Sequence, residues 1–364
     1  MFRQSDNRAR GKNPGKEPWV VLGVDTHQDT HHAAVVDAFD SRPIDDREFP
    51  ATMAGYLDLL DWARSHGRLE KAGVEQTGTY GAGLTAVLHS DGIEVIEVNT
   101  VSKADRARHG KTDQLDAYRA ATVTAAQTQT GKAKHFHPLI DAIRVIMVAR
   151  HHHVTSRQRA WQRLLALIIT SDETLRTSLR GLKAGQKLDK IANWRPDLTR
   201  LHDPIQAQKY ALKNLAAEVQ NHDQATRQFE RDLAILVHQT APELVAQPQV
   251  GPITAARLLI TFGHPGRIPD RDKFAKLVGV APIPVASGKT HRVRLSRSGD
   301  RQANSALHMI AIGRLCNDPN TQAYIARTIA NGHTKTEAIR SLKRRIANGL
   351  YAITNQALNK LDKP

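Results

Sequence analysis

KTDQLDA, residues 111–117, places two carboxylates, Asp113 and Asp116, three positions apart at the start of an alanine-rich run. The run, residues 113–129, predicts a helix, and positions three apart on a helix lie on the same face. Two carboxylates held that close repel each other, and a hard divalent cation with oxygen ligands would neutralise them. The alternative is that the pair only opens the helix, where acidic side chains favour the positive end of the helix dipole.

An alternation of strands and helices precedes this stretch. Three predicted strands come first and form a meander, and two further strands then alternate with helices. The predicted strands are residues 19–25, 32–37, 42–49, 72–75 and 94–99, and the predicted helices are residues 51–66 and the second part of 78–90. This order predicts an α/β fold, in which sites form at the carboxyl ends of the strands.

Two of the predicted strands end in acids, Asp25 and Glu75. Together with Asp113 and Asp116 they predict a four-carboxylate cluster at one edge of the sheet. Metal ions held by acids in this way activate water or a hydroxyl against phosphate. Each acid alone also fits a turn or a helix cap, but four acids at matching edges are harder to explain as caps.

The composition favours a nucleic-acid partner. The chain has 364 residues, long enough for two or three domains, and a net charge of +16 at pH 7. Such an excess of cations favours polyanions, and nucleic acid is the first expectation. An anionic membrane is the alternative, but no basic amphipathic anchor stands out. The single cysteine, Cys316, excludes a disulfide framework within the chain and a cysteine-based zinc site.

Residues 1–16 are polar and basic and lack an apolar segment, so they predict a disordered arm rather than a secretory signal. No apolar run approaches the roughly 18 residues of a transmembrane helix. We therefore expect a cytoplasmic, nucleoid-associated protein without a membrane partner.

From residue 139 the pattern changes to two long amphipathic helices, separated by loops and a short helix at residues 171–204. In the first, residues 139–170, apolar side chains recur every seven residues. The second, residues 205–239, carries two such rows, with polar His222 and Thr226 among them. The pair predicts an antiparallel hairpin or a dimeric coiled coil, with ordinary bundle packing as the alternative. The exposed side of the first helix is expected to be basic, with Arg150, Arg157, Arg159 and Arg163.

The C-terminal region opens with a glycine turn that leads into a helix, residues 249–259. This resembles the second half of a helix-hairpin-helix, in which backbone N–H groups near Gly251 and Thr254 could hold a phosphate. A plain helix–turn–helix junction is the alternative. Further elements are predicted as a short helix at 274–280, a loop at 281–289, a strand at 290–297, a helix at 303–316 and a basic helix at 335–358.

Ser287 lies in the predicted loop, before Gly288, whose missing side chain would let a backbone come close. It is a candidate nucleophile, although a Ser-Gly pair in a loop usually forms only a turn. Nearby cations could neutralise a phosphate under attack. The side chains expected to contact nucleic acid are Lys111, Lys289, Arg292, Arg294, Arg297, Arg301, Lys343 and Arg344.

Two groups of histidines are interpreted as basic or neutral surface residues. His27, His31 and His32 follow the first acid, and residues 151–153 form a run of three. His27 and His31 stand four apart, but in a turn between strands this spacing does not put them on one face. A consecutive run on a helix points in different directions, so one ion cannot collect all three of its members.

Three motifs of the first half resemble those of the DEDD insertion-sequence transposases: GVDTH at residues 23–27, EQTGTYG at 75–81 and GKTDQLDA at 110–117. The second half is similar to the same family in GPIT at 251–254, LVGVAP at 277–282, SG at 287–288, GDR at 299–301 and the tail at 335–351. The resemblance spans nearly the whole chain in the family's order.

The resemblance implies three domains after the arm. These are a RuvC-like (RNase H-like) α/β domain at 17–135, a long-helix coiled-coil region at 136–240 and a mostly helical transposase domain at 241–364. It implies that Asp25, Glu75, Asp113 and Asp116 bind Mg²⁺, with Mn²⁺ as a substitute, and that Ser287 forms a transient 5′-phosphoserine with DNA.

The resemblance also implies partners. These are donor and target DNA, a guide (bridge) RNA from the element's non-coding end, and further copies of the chain in a dimer of dimers, in which one subunit's acids and another's serine form a composite site. Gln28 stands where many relatives have Lys, and Ala286 where many carry a second serine. Ser296 and Ser298 are the alternative nucleophiles.

Three functions follow as rivals. The first is a recombinase that cuts and rejoins DNA through Ser287 while the acids hold metal. The second is a metal-dependent, structure-specific nuclease, such as a junction resolvase, in which Ser287 has no chemical role. The third is a non-catalytic nucleic-acid-binding protein. The complete set of acids argues against the third, and the long C-terminal half argues against the second.

Overall fold

The structure, a computed structural model, describes residues 17–98, 112–128, 131–134, 137–287, 290–294 and 299–361. Of residues 284–287 and 290–294 it describes the backbone. The predicted arm, residues 1–16, lies outside the described residues. The chain divides into two units, Met1–His135 and Phe136–Pro364.

The first unit is built on a five-stranded mixed sheet. Its strands are β1 (Trp19–Thr26), β2 (Thr30–Asp37), β3 (Pro43–Pro50), β4 (Arg68–Glu75) and β5 (Glu94–Val98), and their spatial order is β3-β2-β1-β4-β5. The first three strands pair antiparallel, which confirms the predicted meander. Strands β1 and β4 pair parallel, as do β4 and β5, so their carboxyl ends meet at one edge.

Helices cover both faces of this sheet. Helices α1 (Met53–Ser65) and α2 (Ala82–Ser90) pack on the face to which Val20, Leu22 and Val24 of β1 contribute. Helix α3 (Asp113–Ala125) covers the other face, where Ala121 packs against Val21 and Val36. The helix ends four residues before the predicted boundary. Because side chains alternate along a strand, Gly23 and Asp25 lie on the α3 face.

Two glycines let α3 lie directly against the sheet backbone. A Cβ added at Gly23 would stand 2.1 Å from the carbonyl oxygen of Ala117, and one at Gly73 would stand 2.5 Å from the carbonyl oxygen of Ala120. The helix faces these glycines with small buried side chains, among them Ala117, Ala120 and Ala121. The alanine-rich composition of α3 is therefore a packing requirement of the close contact.

The second unit begins with two long helices, α4 (Pro138–Thr170) and α7 (Pro204–Thr240). They pack against each other antiparallel, with Arg150 Nε 2.9 Å from Glu230 and Arg157 Nε 3.1 Å from Asp223. These two arginines therefore face α7, and their expected place on the exposed basic side is wrong. Coiled-coil geometry stays a prediction.

A small core closes the far end of the helix pair. Residues 171–204, predicted as loops with one short helix, contain α5 (Glu173–Leu179), α6 (Ala184–Ala192) and a 3-10 turn at Leu198–Arg200. Leu179 of α5 and Ile191 of α6 are buried against Leu164 of α4 and Leu212 of α7.

The near ends of α4 and α7 belong to a larger core made mostly with the C-terminal helices. Ile140 and Ile143 of α4 and Leu233 and Val237 of α7 are fully buried in it. The C-terminal helices are α8 (Pro242–Val245), α9 (Pro252–Phe262), α10 (Arg271–Leu277), α11 (Arg301–Asn317), α12 (Pro319–Ala330) and α13 (Lys335–Leu361). Domain boundaries at 135 and 240, and the helix-hairpin-helix, stay predictions.

Two antiparallel strands, β6 (Ile283–Ser287) and β7 (Thr290–Arg294), follow α10. We call this pair the hairpin arm. The loop predicted at 281–289 is therefore wrong for residues 283–287, because backbone pairing with β7 overrides the turn signal of the two prolines. Among the residues described, none forms a helix that is long and apolar enough to cross a bilayer.

The close helix–sheet contact gives a first prediction. We expect Gly23→Ala to lower the free energy of unfolding by about 1–3 kcal/mol, because the added methyl overlaps the Ala117 carbonyl and α3 must move away. Urea denaturation followed by circular dichroism measures this. Gly131→Ala is the matched control, since a Cβ there meets nothing within 4 Å. Equal losses in the two variants would contradict the contact.

Candidate functional site

Two buried carboxylates lie side by side at the carboxyl ends of β1 and β4. Val24 pairs with Val74 in the parallel ladder, so Asp25 and Glu75 follow at the same level on neighbouring strands. Both residues are buried, with 4% and 3% of their surface exposed. The Thr26 hydroxyl donates to the Glu75 carbonyl oxygen at 3.0 Å, which ties the two strand ends together.

Helix α3 brings a third carboxylate to this edge. Thr112 caps the helix by accepting a hydrogen bond from the Leu115 N–H, and Asp113 is the first helical residue. The imidazole of His27 lies between the two acids: its Nε2 is 3.3 Å from Asp25 Oδ2 and 3.3 Å from Asp113 Oδ1. We call Asp25, His27 and Asp113 the edge site.

The edge site has the donors and spacing of a divalent-metal site. One ligand atom from each of its three residues lies within 4.8 Å of the other two. Carboxylate oxygens suit Mg²⁺ and Mn²⁺, and imidazole adds affinity for first-row transition ions. The Asp25 side chain is 6% exposed and that of Asp113 is 51% exposed, so the site opens to solvent on the α3 side.

The predicted four-carboxylate cluster is brought together in part. Asp25 and Asp113 meet through His27, while Glu75 and Asp116 are outside the group of three among the described residues. Glu75 lies on the neighbouring strand end, and Asp116 is half-buried in the first turn of α3. Both stay predicted members of the site.

The surface interpretation of the first histidine group is wrong for His31 and His32. His31 is fully buried and stacks on Tyr56 with ring centroids 5.5 Å apart, and this burial lowers the pKa of the imidazole. His32 lies 2.8 Å from a carboxylate oxygen of Asp46. His27 joins the edge site. The signal for His27 is its place two residues after Asp25, which lies near the end of β1.

In the second histidine group, His151 and His152 are exposed as expected, but His153 lies between the long helices. Its Nδ1 is 2.9 Å from Nδ1 of His222 on α7, and its ring packs on Phe229. Burial, then the neighbouring His222 and His152, lowers the pKa of His153. A consecutive run on a helix points in several directions, and one of these directions is toward α7.

Ser287 is the last residue of β6, and its backbone pairs with that of Thr290 on β7. Arg292 and Arg294 lie on β7, opposite residues 285 and 283. Three of the predicted cations, Lys111, Lys289 and Arg297, fall outside the described residues. The hairpin arm therefore carries the predicted nucleophile beside two predicted phosphate contacts.

Hydrogen bonds hold together the chain segments that flank the hairpin arm. The Asp300 N–H donates to the Leu277 carbonyl oxygen at 2.7 Å. This hydrogen bond joins the chain segment before the hairpin arm to the segment after it. Asn304 of α11 donates from Nδ2 to the Val278 carbonyl oxygen at 2.6 Å. Lys343 of α13 in turn donates from Nζ to Asn304 Oδ1 at 2.6 Å.

This arrangement gives Lys343 a different place from the one predicted. The residue is 8% exposed, and burial, then the neighbouring Arg340, lowers the pKa of its ammonium. A buried ammonium bound to Asn304 does not fit a phosphate contact. Arg344 pairs with Asp272 of α10, so this guanidinium is also engaged within the unit.

The remaining predicted contacts lie at helix N-termini. Gly251 precedes α9, and the Thr254 hydroxyl donates back to the Gly251 carbonyl oxygen at 2.8 Å. Arg301 is exposed at the first position of α11. Their roles in nucleic-acid binding stay predictions.

Two family models match the chain. One, described as a transposase and named for the DEDD transposases of IS110, matches residues 22–170. The other, described as the transposase IS116/IS110/IS902 family, matches residues 242–326. The first match covers the sheet, α3 and the edge site, and the second covers the hairpin arm.

Three curated proteins are similar to the chain. The uncharacterized 43.6 kDa protein of insertion element IS110 from Streptomyces coelicolor is 32% identical over 39% of this chain and 36% of its own length. The uncharacterized 42 kDa protein of IS900 from Mycobacterium paratuberculosis is 30% identical over 32% of this chain and 30% of its own length. The uncharacterized 44.8 kDa protein of IS116 from Streptomyces clavuligerus is 23% identical over 92% of this chain and 94% of its own length. The matches to the first two relatives thus span about a third of those proteins.

The edge site gives a second prediction. We expect the full chain to bind Mn²⁺, and Asp25→Asn and His27→Ala to weaken this binding about tenfold or more, because each removes a donor. Calorimetric titration with Mn²⁺ measures the change. Asp58→Asn, which alters an exposed carboxylate of α1, is the control and should bind as the parent does. Unchanged affinity in both site variants would remove His27 and Asp25 from the site.

The base of the hairpin arm gives a third prediction. We expect Asn304→Ala to destabilise the protein by about 1–3 kcal/mol, because the buried Lys343 ammonium loses its acceptor. Amide exchange in residues 283–294 should become faster, because the hydrogen bond from Asn304 to the Val278 carbonyl is lost as well. Hydrogen–deuterium exchange with mass spectrometry measures this. Asn317→Ala removes an exposed asparagine from the same helix and is the control. Exchange that rises equally in both variants would show that Asn304 does not hold the arm.

Proposed function

We propose that the chain is an insertion-element transposase of the IS110/IS116/IS902 type, and that it cuts and rejoins DNA with a divalent cation held at the edge site; the two family models that match its two halves support this. The observation that carries this proposal is the convergence of Asp25, His27 and Asp113 at the carboxyl edge of the sheet. Cutting DNA requires positive charge beside the phosphate that reacts. The carboxylates and the imidazole of the edge site are suited to holding a metal cation that would supply this charge.

The architecture of the first unit supports an RNase H-like, RuvC-like assignment. Its sheet has the order β3-β2-β1-β4-β5, with an antiparallel meander on one side and parallel strands on the other. The edge site and Glu75 lie where the central parallel strands β1 and β4 end. This is the edge at which α/β folds with parallel strands bind ligands.

Each residue at the edge has a proposed role. Asp25, His27 and Asp113 would hold Mg²⁺ or Mn²⁺, with Glu75 and Asp116 as the remaining members of the carboxylate set. When bound, the cation would offset the negative charge of the phosphate at which bonds change. The buried Asp25 fixes the inner side of the site, and the exposed Asp113 faces the approaching DNA.

Ser287 is the proposed nucleophile. Its hydroxyl oxygen attacks a phosphorus of the DNA backbone, the bond from phosphorus to the 3′ oxygen breaks, and a 5′-phosphoserine forms. The serine proton passes to water, and the released 3′ oxygen takes a proton from water. A 3′-hydroxyl of the second strand then attacks the phosphoserine and returns a proton to the serine. Placement of Ser287 at the end of β6, beside β7 with Arg292 and Arg294, supports this role.

The proposed partners are donor and target DNA, a guide RNA from the element's non-coding end, and further copies of the chain in a dimer of dimers. The net charge of +16 supports a polyanionic partner. Exposed Arg301 and the N-terminus of α9 near Gly251 are the described positions from which phosphate contacts are proposed.

A trapping experiment gives the fourth prediction. We expect purified protein, mixed with Mg²⁺, the RNA that flanks the element and labelled DNA of the element junction, to form a denaturant-resistant protein–DNA adduct. Ser287→Ala should abolish the adduct because the attacking oxygen is absent, and Asp116→Asn should lower it by about a hundredfold or more. Gel electrophoresis under denaturing conditions measures the yield.

Ser296→Ala and Ser298→Ala are the controls, and both should retain the adduct. Loss of the adduct in one of them, with Ser287→Ala active, would move the nucleophile. Cleavage without an adduct that survives Ser287→Ala would leave a metal-dependent nuclease. Function that survives loss of all four acids would leave a nucleic-acid-binding protein.

A further inference from the structure

Two adjacent carboxylates on the edge strand β3 serve opposite faces of the sheet. Asp45 faces α1, where it accepts a hydrogen bond from the indole N–H of Trp62 at 3.2 Å and lies 3.3 Å from His66 Nε2. Asp46 faces α3. Side chains alternate along a strand, so the neighbouring residues Asp45 and Asp46 point to opposite faces of the sheet. Asp45 binds the helix layer on one face, and Asp46 binds the helix on the other.

Asp46 collects three hydrogen bonds from two elements. Gln114 Nε2 donates to Oδ1 at 2.8 Å, and the Tyr118 hydroxyl donates to the same oxygen at 3.0 Å. His32 Nε2 lies 2.8 Å from Oδ2. Gln114 and Tyr118 stand four positions apart on α3, one turn of the helix, so both lie over the same spot of the sheet. One carboxylate thus fixes the first two turns of α3.

The partners of Asp46 are the chain neighbours of the edge site. Gln114 directly follows Asp113. His32 pairs with Asp25 across the β1–β2 ladder. Asp46 therefore joins the strand pair that carries Asp25 to the helix turn that carries Asp113. A shift of α3 along the sheet would stretch the hydrogen bonds from Gln114 and Tyr118 as it separated the two acids.

The charge state of this network favours a lasting anchor. Burial alone would raise the pKa of the Asp46 carboxyl, but hydrogen bonds from Gln114, His32 and Tyr118 outweigh it and hold the pKa below its ordinary value. Burial, and then the bond to Asp46, raises the pKa of Tyr118 to about 12. At neutral pH an ionised acceptor therefore meets a neutral hydroxyl donor, and bonds to a charged partner are the stronger kind.

The closest contacts between α3 and the sheet involve small groups. The contact is made by Gly23 and Gly73 on the strands and by alanines on the helix. Such small groups give a close but smooth contact, with few large side chains that interlock. Directional hydrogen bonds to neighbouring residues supply the precision that a ligand site needs.

We propose that Asp46 is a positioning residue for the metal site, which sets the separation of Asp25 and Asp113 through Gln114, Tyr118 and His32. The proposal rests on the proposed function, since it assigns the site a divalent cation. Asp46 itself touches none of the three edge-site residues in the contacts described, so its effect passes through the position of α3.

The test, our fifth prediction, uses Asp45 as a matched control for Asp46. Asp45→Asn and Asp46→Asn make the same chemical change one residue apart, on opposite faces of one strand. We expect similar losses of thermal stability in the two variants of the full chain. The Mn²⁺ dissociation constant should rise about tenfold in Asp46→Asn and stay within about twofold of the parent in Asp45→Asn. Tyr118→Phe, which removes one of the three donors, should give a smaller rise in the same direction.

Mn²⁺ binding is measured by electron paramagnetic resonance of the free ion, and Asp113→Asn defines the signal that belongs to the edge site. Asp46→Asn that binds Mn²⁺ as the parent does, with the stability of Asp45→Asn, would overturn the proposal. Weakened binding in Asp45→Asn to the same degree would reduce Asp46 to general stability. If the parent binds no Mn²⁺ at the edge site, the metal assignment in the proposed function fails, and the positioning role fails with it.

Discussion

The close approach of α3 to the sheet backbone is the constraint on which the first unit depends. Gly23 and Gly73 leave room that a Cβ would fill, since it would lie within 2.1–2.5 Å of helix atoms. On the helix side, the buried positions are mostly alanines. Because the contact is so close, it has no room for the large apolar side chains that usually pack between a helix and a sheet. What the protein gains is a helix N-terminus that lies directly beside the ends of the central strands.

The chemistry of the unit follows from that position. Asp25 is held by a buried strand, and Asp113 by a helix turn that the same sheet supports. Both carboxylates lie 3.3 Å from Nε2 of His27, so the three side chains form one cluster of donors. These donors are of the kind that hold a divalent cation. The polar network around Asp46 lies on the same face and joins the two halves of the site.

The sequence allowed the sheet and part of the site to be predicted, because both leave local signals. Strand period, helix period and acids at strand ends are visible within a few residues, and they predicted all five strands, α3, Asp25 and Asp113. Other features depend on distant partners. The buried Lys343 bonds to Asn304, which is 39 positions away in the chain. Arg150 and Arg157 face inward because their partners, Glu230 and Asp223, lie on α7. Ser287 became part of a strand because β7 pairs with it. No local pattern distinguishes a lysine in solvent from one directed at an asparagine of another helix.

We propose that the glycine-based contact of α3 with the sheet builds a divalent-metal site at the edge of the sheet. Anomalous diffraction from crystals of the protein grown with Mn²⁺ tests it most directly. We expect an anomalous peak at about 2–2.5 Å from carboxylate oxygens of Asp25 and Asp113 and from Nε2 of His27, with α3 in contact with Gly23. A map without a peak there, or a peak bound by other residues while α3 stands away from the sheet, would contradict the account.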